Sequence, residues 1–296
     1  MANESAAARL VAAPRLAERL PPHVFFLVSA VFHYLGPSFA VLLFQSLAPP
    51  GVAWLRIASA GLIFALWRRP WRRIAALSAR DRATVAALGL ALAAMNILFY
   101  EAIARLPLAT VGAIEFLGPI AIAAWGARTS RNLLALALAA AGVAVLTDVR
   151  ISGEALGYVF AFLNCALFMA YIVLGHRVSA GGAGASGVDR LALAMLVATI
   201  AALPFGLNDA LPAFLKPPLL AAAVGVGVSS SVIPYVCDQL AMARLPRASF
   251  ALLLSLLPAS AAIIGLIVLG QVPSPTEVAG IALVIAGVAL HRAVEA

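Results

Sequence analysis

The sequence predicts an all-α membrane protein of ten transmembrane helices, arranged as two inverted five-helix repeats with both termini in the cytoplasm. Three observations predict it. Of 296 residues, 64% are apolar and only 11% charged, with a mean hydropathy of +1.04; ordinary globular packing cannot hide that much apolar side chain from water, so lipid is the solvent. The chain divides at Pro, Gly and charge clusters into ten apolar segments. A tetrapeptide, Ala104-Arg105-Leu106-Pro107, returns 139 residues later as Ala243-Arg244-Leu245-Pro246.

The ten spans lie near residues 23–47, 51–67, 84–104, 108–127, 131–147, 155–176, 189–208, 217–241, 247–270 and 275–291. Each is roughly 17 to 26 residues, and at ~1.5 Å rise per residue that crosses a ~30 Å hydrocarbon core. Residues 1–22 carry Arg9, Arg15 and Arg19 but no apolar core ahead of Pro21-Pro22, and are expected to form an uncleaved cytoplasmic tail. Residues 23–147 form the first repeat and 155–291 the second.

The charges fix the orientation. With the tail inside, sixteen Arg fall on the cytoplasmic side and only Arg105, Arg150 and Lys216 outside, while Arg56 lies within span 2. This bias accounts for the net charge of +8 and the pI near 10.5, so no nucleic-acid partner is expected. Cys165 and Cys237 sit in apolar stretches with no C-x-x-C motif and no His at ligand spacing. They are expected to be small core residues, with no metal site.

The repeat extends past the tetrapeptide. At the same offset Ala109 meets Ala248, Thr110 meets Ser249 and Pro119 meets Pro258; Ala141-Gly142-Val143-Ala144 then matches Ala286-Gly287-Val288-Ala289 at an offset of 145. Five spans per half is an odd number, so the second copy is upside down relative to the first. Inverted repeats of this kind build alternating-access transporters, with the site near the midplane between the halves. Small residues four apart, Ala137 and Ala141 on span 5 and Ala282 and Ala286 on span 10, suit close helix contact.

Ionisable groups inside spans are functional candidates because they are costly in lipid unless they face a cavity or a partner. Glu115 lies four residues before Pro119, whose missing N–H frees a carbonyl and kinks the helix; it is either a pathway residue or half of a structural ion pair. Arg56 either grips a substrate carboxylate, pairs with Glu115, or snorkels to the interface. Asp238, beside Tyr235 and Gln239, either lines the cavity or closes a cytoplasmic gate. Glu101 and Arg105 have the spacing of an i,i+4 ion pair.

Uncharged polar residues share faces with these. Asn96 and Tyr100 are i,i+4 on span 3, Asn164 and Tyr171 are i,i+7 on span 6, His33 and Tyr34 are mid-span in span 1, and Ser229, Ser230 and Ser231 precede Pro234 in span 8. Each either lines the path or bonds across helices. His33 is a candidate proton carrier or a satisfied core histidine. Pro119 and Pro258 are the expected helix breaks. There is no Walker A loop, H-E-x-x-H, G-x-S-x-G elbow or dinucleotide fingerprint, so neither an ATP-driven pump nor an enzyme, nor any cofactor, is expected.

The stretches Met95-Asn96-Ile97-Leu98-Phe99-Tyr100, Leu106-Pro107-Leu108 and Ile114-Glu115-Phe116-Leu117-Gly118-Pro119, with Arg56, Ile233-Pro234-Tyr235 and Leu245-Pro246, resemble the EamA-type families of the drug/metabolite transporter superfamily. The first three stretches look like the corresponding run in bacterial threonine and homoserine exporters. The resemblance implies an inner-membrane exporter of amino acids or related metabolites, with a central cavity and with spans 5 and 10 peripheral and available for a homodimer. Cys237-Asp238-Gln239 departs from the pattern. The expectation is therefore a secondary transporter of a small, polar, zwitterionic metabolite, with protons as a possible partner. Export of hydrophobic or cationic compounds is the rival within the fold, and a non-transporting scaffold or receptor the rival outside it.

Overall fold

The computed structural model describes residues 20–118, 129–148, 155–179, 186–242, 244 and 257–290. Among them the chain forms eleven α-helices and no strand. These are α1 (Pro22–Leu43), α2 (Pro49–Arg68), α3 (Ala79–Ile103), α4 (Leu108–Glu115), α5 (Ser130–Asp148), α6 (Ala155–Ser179), α7 (Gly187–Phe214), α8 (Pro217–Gly227), α9 (Ile233–Met242), α10 (Leu257–Leu269) and α11 (Pro275–Leu290). A 3₁₀ turn (Pro70–Ala76) follows α2, and a π turn (Val228–Val232) joins α8 to α9.

Among the described residues, six helical runs are long and apolar enough to cross a membrane: α1, α2, α3, α6, α7 and the continuous α8–π–α9 run. Helices α5, α10 and α11 are shorter but also apolar. Phe205, Ile200 and Ile267 point outward, whereas Arg56, Asn96, Glu115 and Asn164 are buried. Apolar outside and polar inside is the arrangement that a lipid solvent selects. The expected break at Pro119 lies outside the described residues; Pro258 sits in the first turn of α10.

Local chemistry sets the helix ends. Pro49 and Pro50 occupy the first turn of α2, where their missing N–H groups cost nothing. Its far end closes at Arg69, held at φ 46° with its N–H on the Ala65 carbonyl, and Pro70 prevents continuation. Ser78 caps α3 by accepting from the Asp81 N–H, and Ser186 and Asp189 form a reciprocal capping box on α7. These caps start both helices earlier than apolarity alone suggests, at residues 79 and 187 rather than 84 and 189. At its other end α7 continues to Phe214, not 208, because Pro204 and Pro212 are carried inside the helix.

The capping acids also bind arginines. Asp189 meets Arg68 at 2.8 Å and Asp81 meets Arg190 at 3.6 Å, which ties the ends of α2, α3 and α7 together on the arginine-rich side.

Helix α2 packs on α7, and α5 packs on α11. Helix α1 packs on α9 and α10, while α6 packs on α3 and α4; α3 lies against α7, and α8 against α2. Glycine permits the tightest of these contacts. A Cβ on Gly142 would stand 2.6 Å from the Gly280 carbonyl oxygen, and one on Gly287 would stand 2.6 Å from that of Ala135. Within the chain the close face is built from Gly142, Gly287, Ala135 and Ala139, while Ala137, Ala141, Ala282 and Ala286 face outward.

Candidate functional site

Glu115 is the last residue of α4 and is buried at 3% exposure. Its Oε2 accepts from the Tyr34 hydroxyl of α1 at 3.3 Å, and its Oε1 accepts from Asn164 Nδ2 of α6 at 3.0 Å. Gly112, one turn earlier, makes the room: a Cβ there would stand 2.9 Å from the Tyr34 hydroxyl. Both donors are neutral. A carboxylate removed from water with only neutral partners retains a demand for a cation or a proton.

Arg56 presents the complementary case. It is buried at 5% exposure, its Nε donates to Ser231 Oγ at 2.8 Å, and its Nη2 donates to the Ser230 carbonyl at 2.7 Å. That carbonyl lies one turn before Pro234, which has no N–H to return to it, so the proline creates the acceptor that the guanidinium takes. The guanidinium also lies over the Tyr100 ring, 5.4 Å from its centroid. Among the described residues Arg56 makes no ion pair, so the pairing with Glu115 weighed from sequence does not form. Its charge is nevertheless near enough to act on both His33 and Glu115.

Buried polar atoms without partners accompany these two residues. Among the described residues the Tyr100 hydroxyl, the Asn164 Oδ1 and the Ser230 Oγ make no hydrogen bond. Tyr100 lies under the Arg56 guanidinium, Ser230 gives Arg56 its carbonyl, and Asn164 donates to Glu115. Asn96 donates to its own helix at the Leu92 carbonyl, 2.7 Å away, and the Tyr235 hydroxyl stands near it. Unsatisfied buried polar atoms are rare and ask for an explanation.

An aromatic row borders this cluster. His33, half-buried, stands edge-on to Tyr34 and Phe168; Phe168 stacks on Tyr171, and Tyr171 tilts against Tyr235 with centroids 5.8 Å apart. The sequence reading did not name Phe168 or Gly112. Phe168 lies on the stripe that runs from Asn164 to Tyr171, so helical spacing carried the signal.

Asp238 and Gln239 lie apart from the cluster. Asp238 accepts from Ser29 Oγ of α1 at 2.5 Å. Gln239 is directed at the start of α7, where a Cβ on Gly187 would stand 2.9 Å from its Oε1. Ser29 was also unnamed, although it sits four residues before His33 on one face of α1. At the opposite end of the molecule a cavity of about 330 Å³ is lined by Arg105, Pro107, Thr110, Gln271 and Glu277 among others. There Arg105 pairs with Glu101, the i,i+4 contact expected from their spacing. Gln271 accepts from the Leu108 N–H and so caps α4.

Comparison with known proteins agrees with this polar interior. Residues 155–292 match the model of the EamA-like transporter family. The threonine/homoserine exporter RhtA of Salmonella typhimurium (strain SL1344) is 31% identical over 283 residues, covering 92% of each chain. The chain belongs to the EamA-like transporter family. RhtA of Escherichia coli (strain K12) is 30% identical over 272 residues, covering 90% of this chain and 89% of the relative. A solved crystal structure with 18% identity superposes with a TM-score of 0.56, covering 90% of this chain and 96% of the other, and shares the fold. This EamA-like protein is thus a multi-pass membrane transporter rather than an enzyme.

Proposed function

We propose that this transporter exports small zwitterionic amino acids, threonine and homoserine or close analogues, across a bacterial inner membrane by alternating access. One observation carries the reading: the described residues bury a guanidinium without a carboxylate partner and a carboxyl group without a cation partner, each beside polar atoms that make no hydrogen bond. A zwitterion supplies what is missing, its carboxylate to Arg56 and its ammonium to Glu115 and the Asn164 Oδ1. The Tyr100 and Tyr235 hydroxyls then meet a substrate hydroxyl. The curated relatives, named as threonine/homoserine exporters, support the same class.

The proposed architecture is ten spans in two inverted repeats, 23–147 and 155–291, with the 1–22 tail and the C-terminus cytoplasmic. The packing supports it. Exchanging spans 1 to 5 for spans 6 to 10 carries the main neighbour pairs onto one another: 1 with 8 becomes 6 with 3, 1 with 9 becomes 6 with 4, 3 with 7 becomes 8 with 2, and pairs 2–7 and 5–10 map onto themselves. The two repeat arginines match as well, Arg105 lying over Phe160 of α6 and Arg244 over Phe25 of α1. The arginine-rich ends of α2, α3 and α7 then face the cytoplasm.

The test is counterflow of radiolabelled threonine in proteoliposomes, competed by an amino-acid panel and, separately, by cationic dyes. Competition by hydroxyl amino acids is expected. Competition by the dyes alone would favour the rival export of hydrophobic cations.

A further inference from the structure

Asp238 is bonded to α1 through Ser29. Ser29 Oγ has one proton but stands within reach of two acceptors, Asp238 Oδ1 at 2.5 Å and the Pro234 carbonyl at 3.4 Å. With Asp238 ionised, the hydroxyl satisfies only one of them. With Asp238 protonated, its O–H donates to Ser29, and Ser29 is released to donate to Pro234, so a chain of two bonds replaces one. The contact joins α1 to α9 and is buried at both residues.

The surroundings offer the ionised form nothing more. Helix α9 packs on α1, α6, α7 and the π turn. The groups that face Asp238 are Ser29 from α1, Tyr171 from α6, and Tyr235 and Cys237 from its own helix. None carries positive charge, and among the described residues no ion pair includes Asp238. An unpaired buried carboxylate is disfavoured. At the repeat offset Asp238 corresponds to Phe99, so the opposite end of the fold has no matching acid.

We propose that Asp238 is the proton-coupling residue of this transporter, and that Ser29–Asp238 is a latch which closes the cytoplasmic side when protonated. This rests on the export reading and its orientation. When α1 and α9 part toward the cytoplasm, the Asp238 O–H bond breaks, the proton passes to cytoplasmic water, and the hydrated carboxylate keeps the gate open for substrate. When the chamber faces outward, a proton arriving from that side rebinds the carboxylate, and the latch re-forms. Tyr235, one turn before Asp238 on α9 and within electrostatic reach of Asn96, Glu115 and Asp238, connects the latch to the substrate site. One proton thus moves inward as one substrate moves outward.

The experiment uses the full-length protein and its Asp238→Asn variant in proteoliposomes. Asparagine donates to Ser29 as the protonated acid does and so holds the latch closed. Threonine counterflow and accumulation driven by a pH gradient are both expected to fall at least about tenfold in Asp238→Asn, whereas the double variant Ser29→Ala/Asp238→Asn, whose amide has no Ser29 hydroxyl to hold, is expected to recover counterflow but not gradient-driven accumulation. Gradient-driven accumulation that survives in Asp238→Asn overturns the proposal, as does a double variant whose counterflow stays as low as that of Asp238→Asn, which would make Asp238 a binding residue. A second measurement needs no substrate: amide hydrogen exchange in residues 23–29 and 233–242, corrected for intrinsic rate. Exchange is expected to be faster at pH 8 than at pH 6 in wild type and slow at both in Asp238→Asn. An unchanged pH response in the variant overturns the latch. If wild type moves no threonine yet the exchange responds as expected, the substrate reading fails and the latch stands.

Discussion

Arg56 and Glu115 are both buried and, among the described residues, form no ion pair with each other. The guanidinium is held by Ser231 Oγ and the Ser230 carbonyl, and the carboxyl group by Tyr34 and Asn164. Two opposite charges in a low-dielectric interior would pair directly if the fold let them. Holding them on neutral partners instead stabilises each one only in part.

Removing the charge of Glu115 separates binding from folding. In Glu115→Gln the side chain keeps its shape, still accepts from Tyr34, and can donate to the unpartnered Asn164 Oδ1. Thermal stability in detergent is expected to stay within about 1 kcal/mol of wild type, while the KM for threonine counterflow rises about tenfold or more. Equal losses in stability and transport would mark Glu115 as a structural residue.

Arg56→Lys keeps the charge but not the fork. A lysine ammonium cannot hold the Ser231 hydroxyl and the Ser230 carbonyl while lying flat on Tyr100. Losing charge-assisted hydrogen bonds costs about 1.5–3 kcal/mol, so transport is expected to fall by roughly tenfold or more. A lysine variant with wild-type flux would show that a point charge suffices.

Tyr100→Phe and Tyr235→Phe should act in opposite directions on stability and on selectivity. Each deletes a buried hydroxyl that makes no standard hydrogen bond among the described residues, so the melting temperature is expected to hold or rise slightly. Discrimination between threonine and valine in a competition assay should shrink by about tenfold. A lower melting temperature with unchanged discrimination would assign these hydroxyls to packing.

The reciprocal glycines of α5 and α11 make a prediction about the scaffold alone. Gly142→Leu and Gly287→Leu drive side chains into the facing backbone, and overpacking costs about 1–3 kcal/mol. Each should lower the melting temperature while the threonine KM of the folded fraction stays put. An unchanged melting temperature would mean that the two helices separate readily.

Much of this arrangement was legible in the sequence because lipid reverses the usual rule: a polar residue in an apolar span is conspicuous. Arg56, Asn96, Tyr100, Glu115, Asn164 and Tyr235 stood out for that reason, and the fold gathers them. Ser29 did not, because a serine is common in apolar helices and only its opposition to Asp238 gives it meaning. Phe168 and Gly112 were hidden differently, being apolar among apolar neighbours. The partners of Arg56 depended on the π turn before Pro234, a local irregularity that periodicity does not reveal. The glycines that make the α5–α11 contact carry no such stripe, and the alanines at i,i+4 face outward.

The central claim is that one ligand spans Arg56 and Glu115 with both of its charges. Competition of labelled threonine counterflow by three unlabelled compounds tests it most directly: threonine, N-acetylthreonine, which lacks the ammonium, and threoninamide, which lacks the carboxylate. The account predicts that threonine competes and that each singly charged analogue is weaker by at least about tenfold, the loss of one charged contact. If either analogue competes as well as threonine, the chamber does not read both ends of a zwitterion.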